Sequence, residues 1–157
     1  MPPPAIVEPA SLNFSQPLAG RAEIAKVNAQ RFEFELLDGV LFVNKETKQF
    51  AGYHDVRPDA WWVRGHVPGR PLFPGVLMIE VAAQLSSYMY ATALGYSGFL
   101  GFAGVDGVKF RGSVEPPCRF VVVGLCTELK PRRFKAQMQG FVAGLMVFEG
   151  QITGMPI

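Results

Sequence analysis

The sequence predicts an α+β fold in which an antiparallel sheet surrounds one central helix. Three observations predict it: one long apolar helical segment at about 75–94, a hairpin pattern before it, and four strand-like segments after it. A helix and a sheet that are both largely apolar bury their surfaces best against each other. The chain has 157 residues, about half of them apolar, which suits one domain with a substantial core.

The first elements follow from local composition. Residues 1–20 contain five prolines and little periodicity, so we expect an extended or disordered leader, with the folded domain spanning 21–157. A short helix is predicted around 21–29. The β-type residues of 34–43 and of 49–56, separated by a turn, predict a hairpin.

The central helix is delimited by the residues that flank it. Residues 57–75 are rich in Pro, Gly and Trp and are predicted to form a loop. Pro74 directly precedes the helix and Gly95 follows it, as is typical of helix ends. Because the helix is apolar nearly all round, we expect it to be buried on every side. Four predicted strands follow, with turns at Pro or Gly between them: 99–112, 118–130, 133–143 and 145–154.

Composition limits the classes of partner. Charged residues make up only 18% of the chain, which leaves little solvated surface and suggests an oligomer. A single curved sheet also leaves one side of the helix uncovered, and a second subunit would cover it. The net charge of +2 is too small to indicate nucleic-acid binding. The basic cluster at 130–135 is either an ordinary solvated turn or a docking patch for an acidic partner.

Several features bear on the cellular compartment. Cys118 and Cys126 have no nearby ligand that would complete a metal site, and we expect both to be reduced. The N-terminal residues lack the pattern of a signal peptide. Glu80 lies within the longest weakly charged stretch, 71–105, and argues against a membrane span there. We therefore predict a cytoplasmic location. The second histidine, His54, is expected to be an ordinary strand-end residue.

One charged residue is unexpected at its position. Glu80 is the one carboxylate or basic side chain between Arg70 and Asp106, and it lies on the apolar helix. Such a carboxylate is costly unless it is paired or functional. His66 lies fourteen residues earlier in a loop that prolines stiffen, so the two form a candidate acid–base pair. A structural role stays open: Glu80 could pair with an arginine, and Gln84 could cap a backbone group.

The start of the helix supplies a third chemical group. The Gly75 N–H is one of the unpaired donors at a helix end that carries partial positive charge. A carbonyl placed against it would be polarised, and an enolate developing on that oxygen would be stabilised. A base, an acid and an oxyanion donor together suit proton removal alpha to a carbonyl, with loss of a beta substituent.

Residues 65–84, GHVPGRPLFPGVLMIEVAAQ, resemble the signature of the 3-hydroxyacyl-[acyl-carrier-protein] dehydratases of the FabZ type. The stretches RFEFELLDGV at 31–40 and VDGVKFR at 105–111 resemble two further motifs of that family, so the similarity spans roughly 28–154. The resemblance implies a hot-dog fold, an antiparallel sheet wrapped around a long helix, in a homodimer or a trimer of dimers. It also implies active sites that take the histidine from one subunit and the acid from the other.

The same resemblance implies a role for each site residue. His66 would remove the C2 proton, Glu80 would protonate or orient the departing 3-hydroxyl, and Gly75 would donate its N–H to the thioester carbonyl. The product would be a trans-2-enoyl thioester and water. No metal or redox cofactor is expected, and the substrate would be carried on acyl carrier protein or coenzyme A. Three more motif residues are expected to line the substrate site: Leu72, Val76 and Gln84.

Two other functions stay open beside dehydration. An acyl-thioester hydrolase of the same fold would use a carboxylate to activate water and would tolerate loss of His66, so the intact His66–Glu80 pair argues against it. A non-enzymatic acyl-binding homologue would keep the pocket and lose the chemistry. Because the acid is Glu rather than Asp, the resemblance implies dehydration without isomerisation. The pathway is expected to be fatty-acid synthesis or a related lipid or polyketide pathway.

Overall fold

The computed structural model describes residues 1–157 and contains one seven-stranded antiparallel sheet around one long helix. The elements in chain order are β1 Ala19–Gly20, α1 Arg21–Ala25, β2 Gly39–Val43, β3 Gln49–Val56, α2 Gly75–Leu94, β4 Leu100–Phe110, β5 Cys118–Lys130, β6 Arg133–Val142 and β7 Leu145–Pro156. Two short 3-10 helices precede β2: Pro9–Ser11 and Phe32–Phe34. The predicted α+β architecture, a hot-dog sheet around a central helix, is confirmed.

The strands are ordered β1-β2-β3-β5-β6-β7-β4 across the sheet. Strand β3 pairs with β5 from Gln49 opposite Leu125 to Val56 opposite Cys118. Strands β5, β6 and β7 form a meander, and β4 returns antiparallel beside β7. The strand that directly follows α2 is therefore the edge strand, and its outer edge has no strand partner within the chain.

Helix α2 begins and ends where the sequence predicts. Pro74 precedes it in extended conformation, and Gly95 ends it in the left-handed region at φ 64°, which glycine adopts without steric cost. The expectation of burial on every side is wrong for part of the helix: Val76 is 70% exposed, and Glu80 and Ser87 are half-buried, because the sheet covers one side only. Neither α1 nor α2 is long and apolar enough to cross a membrane.

The first predicted elements are shorter in the structure. The predicted helix at 21–29 is limited to α1, and beyond it the Asn28 side chain donates to the backbone oxygen of Gln84 at 2.9 Å. The predicted strand at 34–43 begins only at Gly39, because Phe32–Phe34 forms a 3-10 turn. These contacts bring the chain before β2 against the middle of α2.

The leader, expected to be extended or disordered, lies along the outer face of the sheet. Gln139 on β6 binds it at two points: its Oε1 accepts from the Ile6 N–H at 2.7 Å, and its Nε2 donates to Pro4 O at 3.0 Å. Gln49 on β3 donates to Ile6 O at 3.1 Å. Apolar leader side chains pack on a small outer-face cluster made of Leu41, Ala51, Val123 and Phe141.

Candidate active site

The loop before α2 presents His66 to solvent in a defined orientation. The N–H groups of Gly65 and His66 both donate to the backbone oxygen of Trp62, whose side chain is buried. The Nδ1 atom of His66 lies 2.8 Å from Leu72 O. A carbonyl oxygen can only accept a hydrogen bond, so Nδ1 carries the proton. The other ring nitrogen, Nε2, is therefore the one that can accept a proton.

Phe73 anchors this loop in the core. Its side chain is 2% exposed, and its backbone N–H donates to Val114 O at 2.8 Å. Its ring lies 5.4 Å from the Trp62 ring and 5.9 Å from the Phe120 ring, and it is stacked on His54 at 5.3 Å. A loop of 18 residues between β3 and α2 is thus held near its C-terminal end by aromatic packing.

The start of α2 carries free backbone donors. Pro74 O accepts from the N–H groups of Leu77 and Met78, so the N–H groups of Gly75 and Val76 have no acceptor in the helix. A groove of about 580 Å³ lies beside them. Its lining includes three of the residues expected at the substrate site, together with two from the end of β4 and the turn after it: Leu72, Gly75, Val76, Phe110 and Arg111.

Phe110 makes the position of Gly75 specific for glycine. A Cβ atom added at Gly75 would lie 2.8 Å from the Phe110 ring, closer than real Cβ contacts. The close approach of an aromatic ring to the helix start therefore depends on the missing side chain. It leaves the Gly75 backbone accessible from the groove.

Glu80 lines a second groove, of about 240 Å³, between α2 and the β4–β7 edge of the sheet. Its Oε1 accepts from Gln84 Nε2 at 2.9 Å. The polar partner of Glu80 is therefore an amide rather than an arginine. Other residues that line this groove are Gln30, Ala83, Ser87, Phe99, Phe102 and Thr153.

Gln84 is buried beneath Glu80, with 2% of its surface exposed. Its Oε1 accepts from the N–H groups of Leu36 and Leu37, both at 3.2 Å. Its Nε2 donates to Phe34 O at 2.8 Å and to Glu80. A carboxamide has two donor and two acceptor positions, and all four are used here. The Gln84 amide, expected at the substrate site, thus has no hydrogen-bonding capacity left for a substrate.

Within one chain, His66 and Glu80 lie in different surroundings. His66 is connected through Leu72 O to the first groove, and Glu80 lines the second. No hydrogen bond or ion pair joins the two side chains; their polar partners are Leu72 O and Gln84 respectively. The structure thus places Leu72, Gly75 and Val76 in the lining of one groove and Glu80 in the lining of the other.

Sequence reasoning missed a buried acid–base cluster behind the loop. His54 is 6% exposed, and its Nδ1 contacts both Leu36 O at 2.5 Å and Asp38 Oδ2 at 3.2 Å. Asp38 also accepts from the Asp55 N–H at 2.7 Å and from Arg57 at 3.3 Å. Both contacts of His54 Nδ1 are acceptors, so this nitrogen carries the proton.

Asp38 is an ionised carboxylate in a buried position. Burial acts to raise its pKa, but the hydrogen bonds from His54 and the Asp55 N–H, with the charges of His54 and Arg57, outweigh burial and lower the pKa. The sequence held one signal for this cluster. His54 falls on the same face of β3 as the buried Phe50, so its side chain points inward.

Comparison with known proteins identifies related sequences. The model of the FabA-like domain family matches residues 28–151. The 3-hydroxyacyl-[acyl-carrier-protein] dehydratase FabZ of Listeria monocytogenes serotype 4b is 30% identical over 131 residues, which cover 83% of this chain and 90% of that protein. The enzyme of the same name from Albidiferax ferrireducens is 30% identical over 135 residues, covering 83% and 89%.

Solved structures share the fold at low sequence identity. The dehydratase heterocomplex ApeI:P from Xenorhabdus doucetiae matches with a TM-score of 0.73 at 11% identity, over 85% of this chain and 90% of that one. A hypothetical thioesterase with coenzyme A from Streptococcus pneumoniae matches with a TM-score of 0.58 at 9% identity, over 75% and 84%. At these identities the likeness establishes the fold alone.

Proposed function

Since the chain belongs to the family of FabA-like domains, we propose that it removes water from a (3R)-3-hydroxyacyl thioester on acyl carrier protein. The product is the trans-2-enoyl thioester. The observation that carries the proposal is the orientation of His66, whose Nδ1 is held by the backbone oxygen of Leu72, a residue that lines the groove at the start of α2, while Nε2 has no hydrogen-bond partner. We place the reaction in fatty-acid synthesis or a related lipid or polyketide pathway of the cytoplasm.

His66 is the proposed general base. The hydrogen bond to Leu72 O selects the tautomer with its lone pair on Nε2, so that this atom takes the proton from C2 of the substrate. Leu72 is followed by the buried Phe73, and the carbonyl that orients the imidazole is therefore fixed to the core. Such an arrangement keeps the base in position without a charged partner.

The start of α2 is the proposed oxyanion site. As the C2 proton leaves, negative charge develops on the thioester oxygen. Gly75 and Val76, whose N–H groups have no acceptor, line the groove where we place this oxygen, and the helix end favours negative charge. Leu72 and the exposed Val76 side chain line the same groove and would contact the apolar part of the substrate.

Glu80 is the proposed acid. Gln84 engages one carboxylate oxygen, which leaves Oε2 for the departing hydroxyl. The C3–O bond breaks, the hydroxyl takes the proton from Glu80 and leaves as water, and the electrons of the C2–H bond form the C2=C3 double bond. We propose for Gln84 a positioning role toward Glu80 in place of contact with the substrate.

A second chain would complete the site. No hydrogen bond or ion pair joins His66 and Glu80 within one chain, and β4 presents an unpaired edge. Large apolar side chains at or next to this edge strand are exposed, namely Phe99, Phe102, Val105 and Phe110. Two copies joined through this edge would cover these side chains and remove the unpaired edge. We therefore propose a homodimer, alone or within a trimer of dimers, with one base and one acid from different chains in each site.

Hydration of crotonyl-CoA, the reverse reaction, tests the proposal through loss of the enoyl-thioester absorbance. We expect the wild-type protein to be active and His66→Ala and Glu80→Gln to lose most of the rate while staying folded. Arg132 lies at the exposed turn between β5 and β6 and lines neither groove; Arg132→Ala is the matched surface control and should keep full activity with crotonyl-CoA. Near wild-type turnover by His66→Ala would contradict the proposed base.

Two further measurements separate the alternatives. A mixed dimer of His66→Ala and Glu80→Gln should regain activity, because one of its two sites then holds an intact pair. Release of free thiol from acyl-CoA would instead indicate a hydrolase. Binding of acyl thioesters without turnover, also with longer chains on acyl carrier protein, would indicate the non-enzymatic homologue.

A further inference from the structure

We propose that His54 is a positioning residue that supports both catalytic side chains of its own chain, His66 through Phe73 and Glu80 through Leu36. The inference rests on the proposed function, because it assigns a support to the base and the acid named there. His54 contacts neither groove. Its imidazole lies between the loop that carries His66 and the segment that is bound to α2 beneath Glu80.

The first connection is aromatic. The His54 ring is stacked on the Phe73 ring, with centroids 5.3 Å apart and planes inclined by 24°. Phe73 lies between Leu72, whose oxygen orients His66, and Pro74, which precedes the first turn of α2. A shift of the Phe73 ring would therefore displace both the carbonyl that holds the base and the helix start.

The second connection is a series of hydrogen bonds. His54 Nδ1 donates to Leu36 O, and the N–H of the same Leu36 donates to Gln84 Oε1 at 3.2 Å. Gln84 Nε2 in turn donates to Glu80 Oε1 at 2.9 Å. Three consecutive hydrogen bonds thus connect the imidazole to the proposed acid; the first two are buried and the third, to the half-buried Glu80, is partly buried.

Asp38 fixes the imidazole in this position. Its Oδ2 lies 3.2 Å from Nδ1 and also accepts from the Asp55 N–H, and its Oδ1 accepts from Arg57. The opposite ring nitrogen of His54 is buried without any partner. A phenylalanine would fill the same space with a flat ring and would leave no unsatisfied nitrogen. What histidine adds to the flat ring is the Nδ1 donor.

The two connections end in different active sites of the proposed dimer. Each site takes His66 from one chain and Glu80 from the other, so one His54 supports the base of one site and the acid of the other.

Two substitutions of His54 separate these contributions. His54→Phe keeps an aromatic ring against Phe73 and removes the donor to Leu36 O. His54→Asn keeps an amide donor near the position of Nδ1 and removes the ring.

Mixed dimers purified through two different affinity tags measure each contribution alone. In a dimer with a His66→Ala chain, the one complete site uses His66 of the His54 variant. In a dimer with a Glu80→Gln chain, it uses Glu80 of that variant. We expect His54→Asn to lower kcat about tenfold only with the His66→Ala partner, and His54→Phe to do so only with the Glu80→Gln partner. KM for crotonyl-CoA should change by less than about twofold in both, since His54 does not contact the groove.

Other results would overturn the inference. Equal loss of kcat in both mixed dimers, for both variants, would show a general structural role, and unchanged kcat in all of them would show no role. The dimer of His66→Ala with Glu80→Gln is the internal reference. If it and the wild-type protein were inactive, the proposed function would fail, and this inference with it. If the wild-type protein and the reference dimer were active but the His54 variants did not show the expected changes in kcat, this inference would fail and the proposed function would stand.

Discussion

Replacement of Gln84 by leucine should destabilise the protein. The substitution removes the only acceptor of the buried Leu37 N–H, whereas the Leu36 N–H keeps Phe34 O as an acceptor at 2.9 Å. A buried donor left without a partner costs about 1–3 kcal/mol. The free energy of unfolding of a domain is about 5–15 kcal/mol, and the loss is thus a substantial part of it. Phe34 O loses the Gln84 donor and still accepts from the Leu36 N–H.

Replacement of Gln84 by glutamate is the matched control, because the shape is conserved and one oxygen still accepts from Leu36 and Leu37. The other oxygen would stand where Nε2 now lies, 2.9 Å from Glu80 Oε1. Two carboxylates so close share a proton, and the pKa of the pair is raised in the folded state above the ordinary value of about 4.3. A raised folded pKa means that the stabilising proton is bound in acid and is lost as the pH rises through that pKa. The glutamate variant should therefore be most stable in acid and weaken toward neutral pH.

Urea unfolding at a fixed protein concentration measures both effects, since the concentration of a dimer affects its apparent stability. With a slope of about 1–3 kcal/mol per molar urea, a loss of about 1–3 kcal/mol should lower the unfolding midpoint of the leucine variant by about 1 M. The glutamate variant should show a midpoint that falls between about pH 5 and about pH 8 relative to wild type. A leucine variant with an unchanged midpoint would refute the assignment of Gln84 as the acceptor of the buried N–H groups. A glutamate variant without pH dependence would refute its contact with Glu80.

Deletion of residues 1–16 should lower the free energy of unfolding, because the outer-face cluster loses its cover. The exposed cluster should also increase the fluorescence of an added apolar dye. Unchanged values in both measurements would contradict the packing of the leader. Asp38→Asn should be less stable than wild type at neutral pH. The pKa of Asp38 in the folded protein is lowered, so the ionised carboxylate stabilises the fold at pH values above its ordinary pKa of about 3.9. This stabilisation is lost as the pH falls through the folded pKa, and there the urea midpoints of the two proteins should converge. Burial raises the pKa of the thiols of Cys118 and Cys126, and both should react with a thiol reagent far more slowly in the folded protein than in urea; fast reaction of the folded protein would show an exposed thiol.

Local signals were sufficient for most of the fold. The bounds of α2 agree with Pro74 and Gly95 because a proline without an N–H and a glycine in left-handed conformation act within their own turn. The last four strands agree to within a few residues because alternation and turn residues are properties of neighbouring positions. Glu80 could be identified as a candidate because it is the one charged residue of an apolar helical segment, and this is visible within that segment alone.

The roles of Gln84 and His54 depended on residues far away along the chain. Gln84 binds Leu36 across 48 positions, and His54 binds Leu36 across 18. Gln139 binds the leader at Ile6 across 133 positions. Hydrogen bonds of this kind form only after strand pairing and helix packing have brought the partners together, so no local pattern predicts them.

The sequence by itself thus determined which residues are the candidates for the chemistry: a histidine in a stiff loop, a glycine at a helix start, and a carboxylate on an apolar helix. The tertiary structure alone decided how they are held. It showed that His66 and Glu80 have separate partners in one chain, that the Gln84 amide is fully used inside the fold, and that a buried His54 lies between their supports. The physical reason is that residue type and spacing define what a side chain can do, whereas its free donors and acceptors depend on which distant groups the fold places against it.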